Sequence, residues 1–471
     1  MELKDYIALA LIVFALPVMT TVMLYWRRAR DFGFFALVYG SMIVLSSGAK
    51  VNFVSREWYR GTTRGFEISF LDVIALALFI AMWLRPRKGE PRFNWPASLA
   101  PLLVYFGYCA LSVLFSDPKL FGMFELLKVA RGILIFVVAA NYVRSEKQLR
   151  VFLWGLICAV AYQGFLALKM RYHDGVHRVF GTLEHPNSLS LYMCMAVPVL
   201  YAAAMSKLPK WQRHFALIGV ALAMVAVILT ISRTGIVTLG LVLLGIVAAC
   251  FSFRLNARNI FITAGVVCAL TLGVAYSWKT IMTRMEGATL EEEKEKGRGE
   301  YIRLAGLILG DRFFGVGLGN WSYWVSNEYG PKDGSPFVPY VGTDIPPDQN
   351  NPKGLETAQA PPAHNLGALT AGELGWPGLI LFAAVWLRWF QMGIGFLWKR
   401  RADPMLRVGA GLLFAVCAAF FQSLTEWEYR QTPILFMFHI LLGVLAALHW
   451  RKKHPLPEAE PKGASPVGVT S

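Results

Sequence analysis

Residues 214–252 read HFALIGVALAMVAVILTISRTGIVTLGLVLLGIVAACFS, two long apolar runs split by Ile231-Ser232-Arg233-Thr234-Gly235. A helix rises ~1.5 Å per residue and needs about 20 apolar residues to cross a hydrocarbon core of roughly 30 Å. Each run is of that order, so the ISRTG stretch is a hairpin turn between two spans, too short to hide its arginine. Backbone groups in lipid must pair within their own segment, and these runs lack the short alternation of outer-membrane barrel strands, so both are read as helices. Similar runs lie on both sides, near residues 6–25, 32–47, 68–84, 97–115, 126–143, 149–168, 188–204, 259–277, 366–390, 407–424 and 432–449. The expectation is an all-α polytopic membrane protein, a bundle of about 12–13 transmembrane helices with one long periplasmic loop.

Composition agrees. Hydrophobic residues fill 56% of 471 positions, charged residues 16%, and the mean hydropathy is +0.47. Soluble domains lie nearer half apolar and a quarter charged, so the bilayer is the solvent to reason with. The start Met1-Glu2-Leu3-Lys4-Asp5 lacks a strongly basic segment and leads into a long apolar run, which reads as an uncleaved first span. The six cysteines (Cys109, Cys158, Cys194, Cys250, Cys268, Cys417) lie in apolar runs without C-x-x-C spacing, against a disulfide framework or a zinc site.

The formal charge of +16 would suit nucleic acid, but the basic residues fall largely in short loops between spans, a topology signal first. No nucleic-acid partner is expected. If Arg27, Arg28 and Arg30 are cytoplasmic, strict alternation puts Arg85/Arg87/Lys88/Arg92, Arg144/Lys147/Arg150, Lys207/Lys210/Arg213, Arg254/Arg258, Lys399/Arg400/Arg401 and Arg451/Lys452/Lys453 on that side too. The chain then divides into N-terminal transmembrane helices (1–277), a long periplasmic loop with short amphipathic helices (278–363), C-terminal transmembrane helices (364–450) and a disordered cytoplasmic tail (451–471). Within the loop, residues 290–300 read as a solvated helical turn, 301–309 as an amphipathic or membrane-surface helix, and 330–362 as an irregular lid.

Ionisable residues in or beside a span mark functional surfaces by default. On this topology Asp72, Lys128, Arg131, Arg178, Arg233, Glu373, Glu426 and Glu428 all fall near outer ends of helices. The bland account is snorkelling or internal ion pairs, such as Glu125 with Lys128. Three segments say more. Arg178-Val-Phe-Gly181-Thr-Leu-Glu184-His185-Pro186-Asn187 precedes the seventh span, with Asn187 or Ser188 as its expected cap. Ser232-Arg233-Thr234-Gly235 is the hairpin turn, and Ala363-His364-Asn365 opens the span that continues through Gly372-Glu373-Leu374-Gly375-Trp376-Pro377-Gly378. Taken alone, His364 equally suits a capping or core histidine.

Together these segments resemble the O-antigen ligase and polymerase superfamily, the lipid-linked oligosaccharide transferases of bacterial envelopes. The likeness covers roughly residues 170–385; its most specific part is His364-Asn365 followed, after nine residues, by Gly375-x-x-Gly378. Ser232-Arg233-x-Gly235, His185-Pro186-Asn187, Gly297-Arg298 and Gly315-Val316-Gly317 fall where that family has similar elements. After Gly378, Leu379-Ile380-Leu381 replaces the Thr-x-Trp that often follows in ligases.

The resemblance implies a GT-C-like fold in the bacterial inner membrane with its active site facing the periplasm. It also implies a metal-independent and cofactor-free glycosyl transfer. The donor is a glycan on undecaprenyl diphosphate; the acceptor is a hydroxyl of lipid A core, another glycan or a protein. A sugar leaving with diphosphate develops negative charge that forked guanidinium groups stabilise, which suits Arg178, Arg233 and Arg298. An acceptor hydroxyl needs a base, and His364 is the candidate, with Glu373 or Asn365 orienting it or the acceptor. His185 and Asn187 complete the expected substrate-binding set.

Weaker signals have plainer readings. Gly315-Val316-Gly317-Leu318-Gly319-Asn320 is read as a Gly-rich turn rather than a nucleotide loop, and His173 with His177 lacks a third metal ligand. Trp321, Tyr323, Trp324, Tyr329, Trp427 and Tyr429 suit sugar stacking and interfacial belts equally. The rival function is a transporter or flippase of a lipid-linked or anionic solute. That class favours charge near the midplane and repeated halves, whereas here the polar groups gather at one edge. A third reading, an envelope scaffold, leaves the arginine and histidine cluster unexplained.

Overall fold

The computed structural model describes residues 3–43, 50–87, 91–250, 264–265, 292–335, 337, 359–397 and 403–453. In order come α1 (Leu3–Tyr25), α2 (Arg27–Ile43), strands β1 (Lys50–Phe53) and β2 (Phe66–Ser69), α3 (Phe70–Leu84), α4 (Leu99–Leu114) and α5 (Lys119–Tyr142). Next are α6 (Glu146–Tyr172), α7 (Pro186–Ala204), α8 (Lys210–Thr230), α9 (Arg233–Cys250) and α10 (Glu292–Asp311). Three long helices follow: α11 (Leu366–Ile394), α12 (Pro404–Ser423) and α13 (Thr432–Lys453). The expected span at 259–277 lies outside the described residues apart from 264–265, as does most of the lid at 330–362. Among the described residues seven helices, α6–α9 and α11–α13, are long and apolar enough to cross a membrane, and α1, α3 and α4 hold shorter apolar stretches. The protein is an all-α, multi-pass membrane protein.

Small residues let the central helices close on one another, as packing in lipid favours. A Cβ on Gly411 of α12 would meet the Pro198 carbonyl of α7 at 2.6 Å, and one on Gly443 of α13 would meet the Phe136 carbonyl of α5 at 2.5 Å. Every residue of α7 from Ser188 to Ala204 is buried, so this helix is the axis of the bundle. The five described cysteines are free thiols, buried or half-buried; Cys268 lies outside the described residues.

The two ends of the bundle differ in charge. Five of the seven basic clusters fall among the described residues, and contacts draw several of them together at one end. Arg87 and Lys147 both reach Asp31 (3.4 Å each), Arg150 reaches Gln212 (3.2 Å), and Lys452 reaches the Gly395 carbonyl (2.6 Å). The opposite end carries the irregular segments. β1 and β2 form an antiparallel ribbon there, in register Lys50↔Ser69 to Phe53↔Phe66. The ribbon and its connection hold down the neighbouring loops. Tyr59 stacks on Phe121 (3.7 Å) and donates to the Gly319 carbonyl, while Arg60 donates to the Gln359 carbonyl (2.8 Å).

Helix α10 is one continuous element, where a solvated turn and a separate amphipathic helix were expected. Its Leu304, Ala305 and Ile308 bury against Leu369 and Ala368 of α11 in a second small core, while Ile302 and Leu307 stay exposed. That division is the amphipathic pattern of a helix lying at an interface.

Helix α11 is broken at Gly375, whose backbone is left-handed (φ 66°, ψ −167°). Pro377 has no N–H to give the Glu373 carbonyl four residues earlier; the amide of Gly317 takes that carbonyl instead (2.8 Å). Trp376 N–H turns from Gly372 to the Phe313 carbonyl (3.1 Å), and Val316 N–H takes the Gly372 carbonyl (3.0 Å). Tyr108 hydroxyl caps the Leu374 carbonyl (2.7 Å). A Cβ on Gly315 would lie 2.5 Å from the Glu373 carbonyl oxygen, and one on Gly375 only 2.1 Å from that of Phe313. The Gly-Val-Gly turn and the Gly-x-x-Gly element are thus two halves of one backbone joint.

Candidate functional site

Four chain segments meet at the end opposite the basic clusters: the approach to α7, the α8–α9 turn, the start of α11 and the turn between α12 and α13. The α8–α9 turn is tight. Ile231 is left-handed (φ 53°), Ser232 N–H donates to Thr230 Oγ1 (3.3 Å), and Ser232 Oγ accepts from Gly235 N–H (3.3 Å). A Cβ on Gly235 would meet Ser190 Oγ at 1.7 Å, so only glycine lets this turn lie against α7. Arg233 is thereby left exposed at the first position of α9.

The approach to α7 is capped by His185, not by Asn187 or Ser188 as expected: its Nδ1 accepts from the Asn187 N–H (3.2 Å), and Pro186 takes the first helical position. This frees the Asn187 side chain. Its Nδ2 donates to Glu426 Oε1 (2.8 Å), and its Oδ1 accepts from Arg178 (3.5 Å), which also reaches the Thr230 carbonyl (3.3 Å). Burial holds His185 below the ordinary imidazole pKa, against the pull of Glu426 and with the push of Arg178 and His364.

His364 sits just before α11, half-buried, with Nδ1 2.7 Å from Oε2 of the buried Glu426. A carboxylate only accepts, so Nδ1 carries the hydrogen and Nε2 is the basic nitrogen of the neutral ring. The Tyr301 ring packs beside the imidazole (5.7 Å between centroids); burial pushes that phenol up to about 12, so the ring stays uncharged. Glu426 therefore spends both oxygens here, one on His364 and one on Asn187. The turn that carries it is held at both ends: Asn365 caps α11 through Ala368 N–H (2.8 Å) and donates to the Leu424 carbonyl (2.8 Å), and Thr425 meets Thr234 (3.4 Å).

His364, His185, Asn187, Arg178 and Asn365 are thus brought into one network, with Arg233 next to Thr234 at its edge. Glu373 is placed elsewhere. It is buried and ion-paired with Arg430, whose pKa burial would lower but which Glu373 and Glu125 hold above its ordinary value. Arg298 lies on α10, and its side chain is outside the described residues. The ion-pair reading holds for two other cations: Lys128 pairs with Glu125 (2.8 Å), and Arg131 makes two bonds to Asp72 (2.8 Å each). His173 turns to Asp174 (2.7 Å). The sequence reading placed Glu426 at the right end of the bundle but did not pair it with His364; its only local signal is an acid in a short turn after a span.

Residues 218–383 match a family model described as O-Antigen ligase. That segment, about a third of the chain, is similar to the O-antigen ligase family. No curated protein matches the chain. The O-antigen ligase match contains Arg233, the Gly315 to Gly375 joint and His364. It ends before Glu426 and begins after Arg178, His185 and Asn187, so contacts with those residues extend the O-antigen ligase segment into the rest of the bundle. The match supports, in general terms, a function of the O-antigen ligase or polymerase type.

Proposed function

We propose that the chain transfers a glycan from undecaprenyl diphosphate to an acceptor hydroxyl at the periplasmic face of the bacterial inner membrane. The observation that carries this reading is the 2.7 Å contact between His364 Nδ1 and Glu426, tied through Asn187 to Arg178. The acceptor oxygen attacks the anomeric carbon of the donor sugar and its proton passes to His364 Nε2. The bond from that carbon to the diphosphate oxygen breaks, and the electron pair leaves on the phosphate. Glu426 holds the imidazole in the required tautomer and balances the imidazolium that forms, the role of an orienting carboxylate in other histidine bases. Arg178 and Arg233 meet the growing charge on the leaving diphosphate, a role proposed for Arg298 as well, so the scheme calls for no metal.

The orientation rests on charge. Cytoplasmic loops concentrate Lys and Arg, and here the basic clusters among the described residues gather at the end away from His364. The prenyl chain then stays in lipid while its diphosphate meets the outer headgroup zone. Ligase and polymerase share this donor and differ in acceptor.

Reconstitution in liposomes tests the reading, with undecaprenyl-diphosphate glycan as donor and lipid A core, free glycan or protein offered separately. Wild type is expected to transfer to one class, and His364→Ala to insert normally yet transfer nothing. Full activity in that variant removes the base assignment, and no transfer by wild type to any class removes the function.

A further inference from the structure

Next to the histidine and arginine network lies a cavity of about 470 Å³. The ribbon segment supplies Glu57, Arg64 and Glu67 to its wall; Glu184 comes from the approach to α7, and Trp427 and Gln431 from the turn between α12 and α13. Two of these segments are shared with the site: Trp427 stands between Glu426 and Glu428, and Glu184 directly precedes His185. The volume falls in the range of small-molecule pockets, roughly 300–1,000 Å³.

The balance of charge in this cavity is acidic. Three carboxylates face one guanidinium, whereas next door the cations Arg178 and Arg233 stand beside the buried Glu426, whose oxygens are taken by His364 and Asn187. A diphosphate is drawn to one and repelled by the other. Two substrates that must be kept in register, one strongly anionic and one not, are sorted by such a division. The other polar side chains of the lining, such as Thr62, Thr63 and Gln431, are hydroxyl and amide, which exchange hydrogen bonds with hydroxyl groups in either sense. The half-buried indole of Trp427 adds a flat apolar face of the kind on which the C–H face of a sugar ring can rest.

Resting on the transferase reading above, we infer that this cavity holds the acceptor, and that the acceptor is a hydroxyl-rich saccharide, uncharged or amine-bearing rather than phosphorylated. The ribbon, which the bundle itself does not need as a span, then has a function: it forms the wall against which the acceptor is held. Carboxylates at Glu57, Glu67 and Glu184 accept from sugar hydroxyls and favour an ammonium group, while excluding a phosphate.

Equilibrium binding to the full chain in nanodiscs, without any donor, provides the test. The probes are radiolabelled glucosamine disaccharide, its N-acetylated form and its 6-phosphorylated form. The first two should bind saturably, with the phosphorylated one at least about tenfold weaker. Trp427→Ala should weaken the first two about tenfold. Glu184→Lys, a change at an exposed position, should weaken the amine-bearing probe and strengthen the phosphorylated one. The inference is overturned when no probe binds, when the phosphorylated probe binds best, or when both variants bind as wild type does. Because the assay contains no donor, its failure leaves the base assignment standing; an active His364→Ala protein would sink that assignment and leave the saccharide binding intact.

Discussion

Glu426 divides its oxygens between His364 and Asn187, and that division makes it the most sensitive single position in the network. Glu426→Gln keeps the size of the side chain but can turn an NH2 toward Nδ1, favouring the tautomer whose Nε2 is protonated and useless as a base. The expected result is a fall in kcat of about 100-fold or more with little change in donor KM; a loss below about twofold would make Glu426 a structural carboxylate only. Arg233→Lys keeps the charge and loses the fork, so turnover should drop by roughly tenfold or more; unchanged turnover would mark Arg233 as a headgroup anchor. His185 offers a pH test. Its pKa is lowered in the fold, so the unfolded chain takes up the proton more readily. Stability should therefore be fully present above the ordinary imidazole value of ~6.5 and be lost as pH falls below it. Comparing melting at pH 7.5 and 5.5 (about one unit either side), the acid loss should shrink in His185→Asn, which caps without titrating; an equal loss in both would put the sensitivity elsewhere. At this scale the sequence offered His364, Arg178 and Asn187 as candidates from separate segments, and hydrogen bonds through Glu426 link them in one network. It missed the contact of Glu426 with His364 because the partner lies 62 residues away, and an acid near a span end has many equivalent explanations.

The broken helix α11 shows why two glycine motifs, separated by about sixty residues of chain, belong together. Four main-chain groups displaced by Gly375 and Pro377 find partners in residues 313–317 and Tyr108, so the joint is satisfied without a polar side chain other than one tyrosine. Gly375→Ala puts a Cβ against the Phe313 carbonyl and strains a left-handed position, and should cost at least about 2 kcal/mol of stability. Gly306→Ala on exposed α10 meets open space and should gain roughly 0.5–1 kcal/mol. Denaturant midpoints in detergent micelles separate the two, and equal shifts would contradict the joint. Both motifs were legible as glycine-rich elements; their docking was not, because an exchange of backbone hydrogen bonds leaves no pattern in side chains. The β1–β2 ribbon was missed for a related reason, since four-residue strands are too short to show an alternation.

Over the whole molecule, apolar length was the most legible property. Each expected span within the described residues coincides with a helix, because lipid leaves the backbone no alternative. Charge was legible as a count per loop and, within one helix, as the Glu125–Lys128 pair; the Arg131 partner Asp72 lies on a neighbouring helix, 59 residues away, and left no local signal. The difference in charge between the two ends predicts which one faces out. The basic end should lie in the cytoplasm, because translocating clustered Lys and Arg is disfavoured. His177 and Lys207 sit at opposite ends of the bundle and both are exposed. In a background with the natural cysteines replaced, His177→Cys should react with a membrane-impermeant maleimide in intact spheroplasts, and Lys207→Cys only after permeabilisation. The reverse pattern would place His364 and its arginines in the cytosol, where a lipid-linked donor presented at the outer leaflet could not reach them.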